Sequence, residues 1–389
     1  MKTCFPKSLC RHLHTTALAL VFLLFGQSLF ADSLQALGTL GGATSSGLGI
    51  NNSGQVTGIS DTTGNTAQHA FVTTGGVMSD LGTLGGTNSS GQGINKSGQV
   101  TGYSYLAGDA SYHAFVTIAG VMTDLGTLGG TNSNGSSINN SGQVTGNAAN
   151  ASNTALHAFV STGGVMSDLG TLGGRDSFGT GINNSGQVTG NSYLTGNSAF
   201  HAFVSTGGVM TDLGTLGGIY SVASGINDSG LVTGYSYLTG NTVAHAFVST
   251  GGVMTDLGTL GGIYSAGLGS NNLGQVVGYS DTTGGTVTHA FVDMGGVMTD
   301  LNTLESGLLS NGASAGFLDL IQANGINDNG QITGYGDYFD GTSTFQEAFL
   351  LDTRSSSSVP DSGGTFGLLM LSTAGLIMVR RRFTKYALR

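Results

Sequence analysis

The chain has 389 residues, of which 70 are glycine, 2 are proline and none is tryptophan, and only 8% are charged. Average soluble domains contain roughly 25% charged residues and about 7% glycine, so this composition argues against a helical or α/β enzyme. From residue 32 to residue 354 there are 20 acidic residues but only three basic ones, Lys96, Arg175 and Arg354. Affinity for a polyanion needs clustered Lys and Arg, which excludes nucleic acid as a partner of this region.

The N-terminus has the pattern of an export signal. Three basic residues precede an apolar stretch over 17–25, and Ala31 offers a small residue before a cleavage site. We therefore predict a secretory signal peptide over 1–31. Both cysteines, Cys4 and Cys10, lie inside it, so the mature chain is expected to contain no disulfide.

A strict internal repeat follows the export signal. His-Ala-Phe occurs six times at intervals of 44 residues, and a degenerate seventh copy runs from Glu347 to Phe349. Leu-Gly-Thr-Leu-Gly-Gly recurs in step with it, beginning at Leu37. These motifs resemble the HAF family of extracellular repeats, and the resemblance covers Leu34 to Asp352. The sequence over 32–354 is therefore predicted to be one repeat array.

Each repeat contains four short segments of strand character. In the second copy they lie around residues 93–95, 99–104, 113–117 and 121–128. Four antiparallel strands in 44 residues match one propeller blade, whose usual length is about 40 to 50 residues. The alternative is a parallel β-helix with two coils per repeat.

The two ends of the array are incomplete in complementary ways. The array opens with a lone fourth strand over 34–40 and closes with three strands around 323–327, 331–335 and 347–351. In a closed ring, the N-terminal strand would complete the last blade. The sequence therefore predicts an all-β, seven-bladed β-propeller, because a solenoid would need caps instead.

The connections between strands differ in how much they vary. The first and third connections, Asn-x-Ser-Gly and Thr-Gly-Gly, are nearly identical in every copy, whereas the second, such as Tyr103 to Tyr112, and the fourth, such as Gly129 to Ser136, differ between copies. In an up-and-down blade the second and fourth connections share one face. Since binding residues concentrate on loops of a rigid scaffold, this variable face is the predicted binding surface.

Tyrosines gather in these variable connections, with Tyr220 and Tyr264 in fourth connections and the others in second connections. A tyrosine ring is flat and apolar with a polar tip, and suits a polysaccharide or a surface protein as ligand. The alternative interpretation is packing between blades. The candidate ligand face consists of Tyr103, Tyr105, Tyr193, Tyr220, Tyr235, Tyr237 and Tyr264.

All histidines of the array belong to His-Ala-Phe. A shared metal site is not expected, because equivalent positions on different blades lie far beyond the ~2 Å reach of a zinc ligand. We instead predict that each histidine pairs with the aspartate eleven residues later. The pairs are His69 with Asp80, His113 with Asp124, His157 with Asp168, His201 with Asp212, His245 with Asp256, and His289 with Asp300. In the last blade Glu347 and Ala36 occupy these positions.

Catalytic residues would break the repeat, because an active site is one place. Asp319, Asp337 and Asp340 do so in the last copy, as does Asp176 next to Arg175. No catalytic Ser/His/Asp triad can be assigned, since every histidine recurs. The array is therefore predicted to be non-enzymatic and without a cofactor. The alternatives are a glycan-active propeller enzyme and an elongated β-helical adhesin.

The C-terminus carries a second hydrophobic signal. Eighteen uncharged residues over 362–379 are followed by Arg380, Arg381 and Arg382. This length spans a bilayer, and the basic end is expected in the cytoplasm. We predict a transmembrane helix with a basic tail over 362–389, after a Ser-rich linker and sorting motif over 355–361.

The five residues before and at the start of this helix form a short motif, Val359, Pro360, Asp361, Ser362 and Gly363. With the helix and the arginines, the motif resembles the VPDSG variant of the PEP-CTERM sorting signals. The resemblance implies cleavage by an exosortase-type protease, so that the helix is a transient membrane anchor. It implies a protein of the cell surface or extracellular matrix of a Gram-negative-type bacterium.

Overall fold

The computed structural model describes residues 33–353, which fold almost entirely into antiparallel β-strands. The all-β prediction is confirmed. The strands form successive antiparallel groups of four, called sheets 1 to 7 here, and single parallel pairs also join sheets 4, 5 and 6 into one twelve-stranded sheet.

Sheets 1 to 3 contain β2 (Gly41–Ile50), β3 (Val56–Thr62), β4 (Gln68–Thr74) and β5 (Val77–Asp80); β6 (Gly85–Ile94), β7 (Val100–Leu106), β8 (Tyr112–Ile118) and β9 (Val121–Asp124); and β10 (Gly129–Ile138), β11 (Val144–Asn150), β12 (Leu156–Thr162) and β13 (Val165–Asp168). Sheets 4 to 6 contain β14 (Gly173–Ile182), β15 (Val188–Leu194), β16 (Phe200–Thr206) and β17 (Val209–Asp212); β18 (Gly217–Ile226), β19 (Val232–Leu238), β20 (Ala244–Thr250) and β21 (Val253–Gly258); and β22 (Gly261–Ser270), β23 (Val276–Thr282), β24 (Thr288–Asp293) and β25 (Met298–Asp300). Sheet 7 contains β26 (Gly316–Ile326), β27 (Gln331–Phe339), β28 (Thr344–Asp352) and β1 (Ser33–Ala36), and helix α1 (Leu301–Leu304) precedes it.

Sheet 7 is assembled from both ends of the array. Strand β1 pairs antiparallel with β28, from Ser33 opposite Asp352 to Ala36 opposite Phe349. The backbone N–H of Leu37 then donates to the carbonyl of Ala348 at 2.9 Å. The N-terminal strand is therefore the fourth strand of the last sheet, although it ends at Ala36 rather than at the predicted residue 40.

A chain of hydrogen bonds runs through all the sheets and returns to its start. In each first connection an asparagine donates from Nδ2 to the backbone carbonyl of the equivalent asparagine in the next sheet, at 2.7–3.2 Å. These asparagines are Asn51, Asn95, Asn139, Asn183, Asn227, Asn271 and Asn327. Asn327 donates back to Asn51, so the sheets form a closed, propeller-like ring. The antiparallel ladders exclude the parallel β-helix.

The hydrophobic core lies between neighbouring sheets. Phe71 of the first His-Ala-Phe motif is fully buried, and Ala70 packs on the other side of β4 against Val100 and Phe115 of sheet 2. At the closure of the ring, Ala348 of sheet 7 packs in the same way against Phe71. Each motif therefore joins its own sheet to the next, which explains its strict spacing.

The glycine of the Val-Thr-Gly segment is required by the same packing. Gly58 lies opposite Phe71 in the ladder of sheet 1. A Cβ atom on Gly58 would collide with the carbonyl of Ser46 and with the ring of Phe71. Only glycine lets the two strands and the ring approach this closely.

Two predicted segments are corrected by the structure. The fourth strand of sheet 2 is Val121–Asp124, and residues 125–128 are the connection to the next sheet. The predicted fourth connection from Gly129 to Ser136 instead belongs to strand β10. Its small polar residues resemble a loop in sequence, but they are required by close packing: a Cβ atom on Gly130 would collide with the carbonyl of Asn150, and one on Gly135 with Thr101 of the preceding sheet.

The added residues of the last repeat connect sheets 6 and 7. They form α1 and the segment that leads into β26, and Leu301 packs against Phe317 and Leu320. Within residues 33–353 no helix is long and apolar enough to cross a membrane. The predicted signal peptide, the linker over 355–361 and the helix over 362–389 lie outside the described residues.

Candidate functional site

The structure brings together every predicted His/Asp pair. In all six, Nδ1 of the histidine lies 2.7–2.9 Å from a carboxylate oxygen of the aspartate across the outer hairpin. The aspartate has a further partner, since Oδ1 of Asp80 accepts the backbone N–H of Gly82 at 2.7 Å. The repeated pair therefore ties the third strand, the fourth strand and the following connection together.

Sheet 7 replaces the pair with one carboxylate. Glu347 occupies the histidine position and accepts the backbone N–H of Gly38 through Oε1 at 2.8 Å. Gly38 is the equivalent of Gly82. In sheet 7 the carboxylate that accepts this N–H therefore comes from the third strand, whereas in sheet 1 it comes from the fourth. Burial raises the pKa of Glu347, and the hydrogen bond from Gly38 opposes that shift in part.

A cavity lies at the centre of the ring, in two parts. The part of about 480 Å³ is lined by the first strands and contains no titratable side chain among the described residues. The part of about 220 Å³ next to the asparagine turns contains Lys96, Asp228 and Asp328. Burial alone would raise the pKa of Asp328, but hydrogen bonds from Asn272 and Asn52 bring that pKa below its usual value. Both aspartates accept backbone N–H groups, Asp228 from Asn184 at 2.9 Å and Asp328 from Asn272 at 2.8 Å.

The candidate tyrosines lie in strands rather than in the connections where the sequence placed them. Tyr103 and Tyr105 are in β7, Tyr193 in β15, Tyr220 in β18, Tyr235 and Tyr237 in β19, and Tyr264 in β22. Tyrosine has high β-propensity, so the strands extend through these positions to the edge of the variable face.

The tyrosines fall into two groups. Tyr103 and Tyr105 pack against Tyr112 within sheet 2, with ring centroids 5.6–6.4 Å apart. The second group crosses from sheet 4 to sheet 5. Its successive centroid distances are 5.5 Å from Tyr193 to Phe200, 4.6 Å from Phe200 to Tyr220, 5.7 Å from Tyr220 to Tyr237, and 6.4 Å from Tyr237 to Tyr235. We call this second group the aromatic track.

The aromatic track continues into a groove between sheets 5 and 6. We call it the tyrosine groove; it has a volume of about 330 Å³ and is lined by Tyr235, Tyr237, Ala244, Tyr264, Tyr279 and Asp281. Burial raises the pKa of Tyr235 and of Tyr279, with smaller contributions from neighbouring ionisable groups, so both phenols stay neutral. Sequence reasoning missed Tyr279 and Asp281. The signal was present, because both occupy the same repeat positions as Tyr235 and Tyr237.

Asp176 and Arg175 have a structural explanation. A second groove, between sheets 3 and 4, has a volume of about 460 Å³ and includes both side chains. Arg175 binds Oδ2 of Asp176 through Nε and Nη2, both at 2.8 Å, while Oδ1 accepts the N–H of Leu156 at 2.9 Å. Both oxygens of this buried carboxylate therefore have partners.

The other candidate acids differ in environment. Asp319 lies opposite Asp337 in the ladder and 3.7 Å from Nε2 of His289. Burial raises the pKa of Asp319, the imidazole of His289 opposes this, and Asp337 adds to it. Asp340 is exposed and accepts the N–H groups of Thr342 and Ser343, which lower its pKa. Among residues 33–353, no group of three or more His, Cys, Asp and Glu side chains is arranged to hold a metal ion.

Comparison with curated proteins gives no match. Among solved structures, the chain is similar to a gluconolactonase from Xanthomonas campestris, at 9% sequence identity and a TM-score of 0.38, over 82% of this chain and 89% of that one. A family model described as the VPDSG-CTERM motif matches residues 358–383, which include the predicted motif and the three arginines but lie outside the described residues. The C-terminus therefore carries a sorting signal of the PEP-CTERM type, which points to export, processing by an exosortase-type system and a cell-surface location.

Proposed function

We propose that the chain is an exported, non-enzymatic surface protein whose HAF-type repeats form a seven-bladed β-propeller and bind an extracellular ligand. In this proposal the signal peptide is cleaved, the C-terminal helix anchors the chain during sorting, and the array then remains at the cell surface or in the matrix. The variable face of the ring binds a polysaccharide or a surface protein.

The observation that supports the proposal is that repeated residues and residues that vary between copies make different kinds of contact. The repeated polar residues, from the His/Asp pairs to the ring of asparagines, bond to one another or to the backbone. The residues that vary between copies border grooves on the variable face. A scaffold of this kind presents different side chains at equivalent positions, which is typical of binding proteins.

Sorting and binding have separate tests. Antibody labelling of intact cells should detect the wild-type chain at the surface, whereas a chain with Val359 to Gly363 replaced by alanine should remain in the membrane fraction. Equal surface labelling of both chains would contradict the sorting step.

Binding without turnover is tested on a polysaccharide array with the full-length chain. We expect retention of intact glycan and no new reducing ends. Because Asp319 is a half-buried acid that lies opposite a second carboxylate, Asp337, release of reducing ends that Asp319→Asn abolishes would establish the glycan-active enzyme instead.

A further inference from the structure

The tyrosine groove lies where the repeats differ from one another. In other sheets, the residue at the position of Tyr264 joins its sheet to the preceding one. In sheets 2 and 3 the residue equivalent to Tyr264 is an asparagine, and in sheet 4 it is Asp176. These side chains accept the backbone N–H of the preceding sheet's third strand, as Asn88 does from Gln68 at 2.8 Å and Asn132 from Tyr112 at 3.1 Å.

A tyrosine is not needed for this join. At Tyr220 and Tyr264 the strands instead meet through single parallel backbone pairs, with Phe200 and Ala244 respectively, and the hydroxyl of Tyr264 donates to the carbonyl of Thr242 at 3.2 Å. Tyr264 remains 39% exposed at the mouth of the groove. Since asparagine or aspartate suffices to assemble sheets 2 to 4, the tyrosines of sheets 5 and 6 add aromatic surface beyond what the ring requires.

The groove combines this aromatic surface with negative charge. Four phenol rings and Ala244 supply apolar walls, and Asp281 is the charged side chain among the lining residues. Asp281 already accepts the hydroxyl of Thr288 through Oδ1 at 2.9 Å, which fixes its carboxylate in place. Electron-rich ring faces and a carboxylate together favour a cation, by cation–π attraction and direct pairing.

The rest of the described chain favours the same charge. Residues 33–353 contain 19 acidic residues against Lys96 and Arg175. Two of the acids, Asp319 and Asp337, lie in the next sheet of the ring at the positions equivalent to Tyr264 and Asp281. An extended cation is therefore attracted along the variable face, and an anionic polymer is repelled.

The shape of the aromatic surface selects among cationic ligands. Rings follow one another from Tyr193 through Tyr220 to the groove, so the surface is a track rather than a single cage. A lysine side chain would occupy one cage, whereas a chain of pyranose rings presents a flat apolar face at every unit and can stack along the track.

We propose that the tyrosine groove and the aromatic track bind a glycan chain of amino sugars with free ammonium groups. The inference rests on the proposed binding role of the array and adds the ligand class and the site. The sugar rings stack on Tyr264 and Tyr237, and an ammonium group pairs with Asp281.

The test is isothermal titration of the full-length chain in detergent with three probes. These are a glucosamine hexamer, an N-acetylglucosamine hexamer of the same rings without charge, and hexalysine, which has charge without rings. We expect the glucosamine hexamer to bind at least about tenfold more tightly than either control, which corresponds to about 1.4 kcal/mol. Equal binding of the acetylated hexamer would overturn the ammonium pairing. Equal binding of hexalysine would overturn the assignment of a glycan as the ligand.

Variants that copy other repeats locate the site without removing the fold. Tyr264→Asn installs the residue found at the equivalent position of sheets 2 and 3, and Asp281→Ala installs the residue found in sheet 3. Each should weaken glucosamine binding about tenfold or more. The matched control Asp61→Ala changes the position equivalent to Asp281 in sheet 1 and should leave the affinity unchanged. Unchanged affinity in both groove variants would place the site elsewhere. Absence of glucosamine binding, with another polysaccharide retained on the array, would overturn this inference and leave the binding role standing.

Discussion

Asn327 donates a hydrogen bond from its side-chain amide to the backbone carbonyl of Asn51 at 2.9 Å, although the two residues are 276 positions apart. The same asparagine accepts the N–H groups of Asn329 and Gln331 through Oδ1. One side chain therefore shapes the turn of sheet 7 and fastens that sheet to sheet 1. The ring therefore closes through an asparagine, the residue type that also joins all the remaining neighbouring sheets.

Loss of the Asn327 side chain should lower the stability of the fold. Asn327→Ala removes the buried hydrogen bond to the Asn51 carbonyl and leaves the backbone N–H groups of Asn329 and Gln331 without their Oδ1 acceptor, so we expect the free energy of unfolding to fall by about 2 kcal/mol. Chemical denaturation measures it. Ser97→Ala, at an exposed position of the equivalent turn in sheet 2, should change stability by less than about 0.5 kcal/mol. Equal effects of both substitutions would contradict a stabilising role for the ring of asparagine hydrogen bonds.

A second, outer ring of hydrogen bonds has one gap. The backbone N–H of the next residue in each turn donates to a side-chain oxygen of the following sheet, as from Asn140 to Asn184 at 2.8 Å. Among the described residues the bond is missing only from Asn52 to Lys96, because lysine has no acceptor. Lys96→Asn should complete the ring and raise the free energy of unfolding by about 0.5 kcal/mol. Lys96→Ala removes the same charge without adding an acceptor, and an equal gain there would refute this explanation.

The His/Asp pairs should be energetically coupled. A double-mutant cycle on His157 and Asp168, which lie 2.7 Å apart, should give a coupling of about 1 kcal/mol in denaturant unfolding. The aspartate side chain is 43% exposed, which keeps the value modest. A control cycle on His157 and Asp212, from different sheets, should give no coupling beyond about 0.5 kcal/mol. Similar values for the two cycles would contradict the pairing.

Glu347 should make stability depend on pH. Its folded-state pKa is raised by burial, so the ionised form is disfavoured in the fold relative to the unfolded chain. Its contribution to stability is fully present below the unfolded pKa of about 4.3 and is lost as pH rises through the raised folded pKa. Glu347→Gln removes the titrating charge and keeps an acceptor for Gly38. The variant should therefore melt at a higher temperature than wild type at pH 7, with a smaller difference near pH 4.

Asp340 provides a control of opposite sign. Its pKa is lowered by N–H donors, so its contribution is present above the unfolded pKa and is lost as pH falls through the folded one. Asp340→Asn should lower the melting temperature slightly at pH 7. A rise for this variant, or a fall for Glu347→Gln, would contradict the assigned directions.

Sequence repetition was enough to predict the all-β fold, the pairing of the N-terminal segment with the last sheet and the His/Asp partners, because a residue that recurs every 44 positions must satisfy the same local contacts each time. It failed for the first strand. Gly129 to Ser136 resembles a loop because its residues are small and polar. Part of the reason lies in the preceding sheet, where a Cβ atom on Gly135 would collide with Thr101, and a single repeat does not reveal this contact. The tyrosine groove was only half predicted, since Tyr279 and Asp281 join it from a neighbouring sheet.

Ring closure is the central claim, and a cross-link measures it directly. Gln35 lies opposite Leu350 in the ladder between β1 and β28, and Ser79 opposite Val72 is the equivalent pair in sheet 1. The native cysteines, Cys4 and Cys10, lie in the predicted signal peptide, so a chain with Gln35→Cys and Leu350→Cys would contain just the introduced thiols after cleavage. Peptide mass spectrometry after mild oxidation should find the two joined as efficiently as in the chain with Ser79→Cys and Val72→Cys. A disulfide in the sheet 1 pair but none between residues 35 and 350 would show that the ring is open.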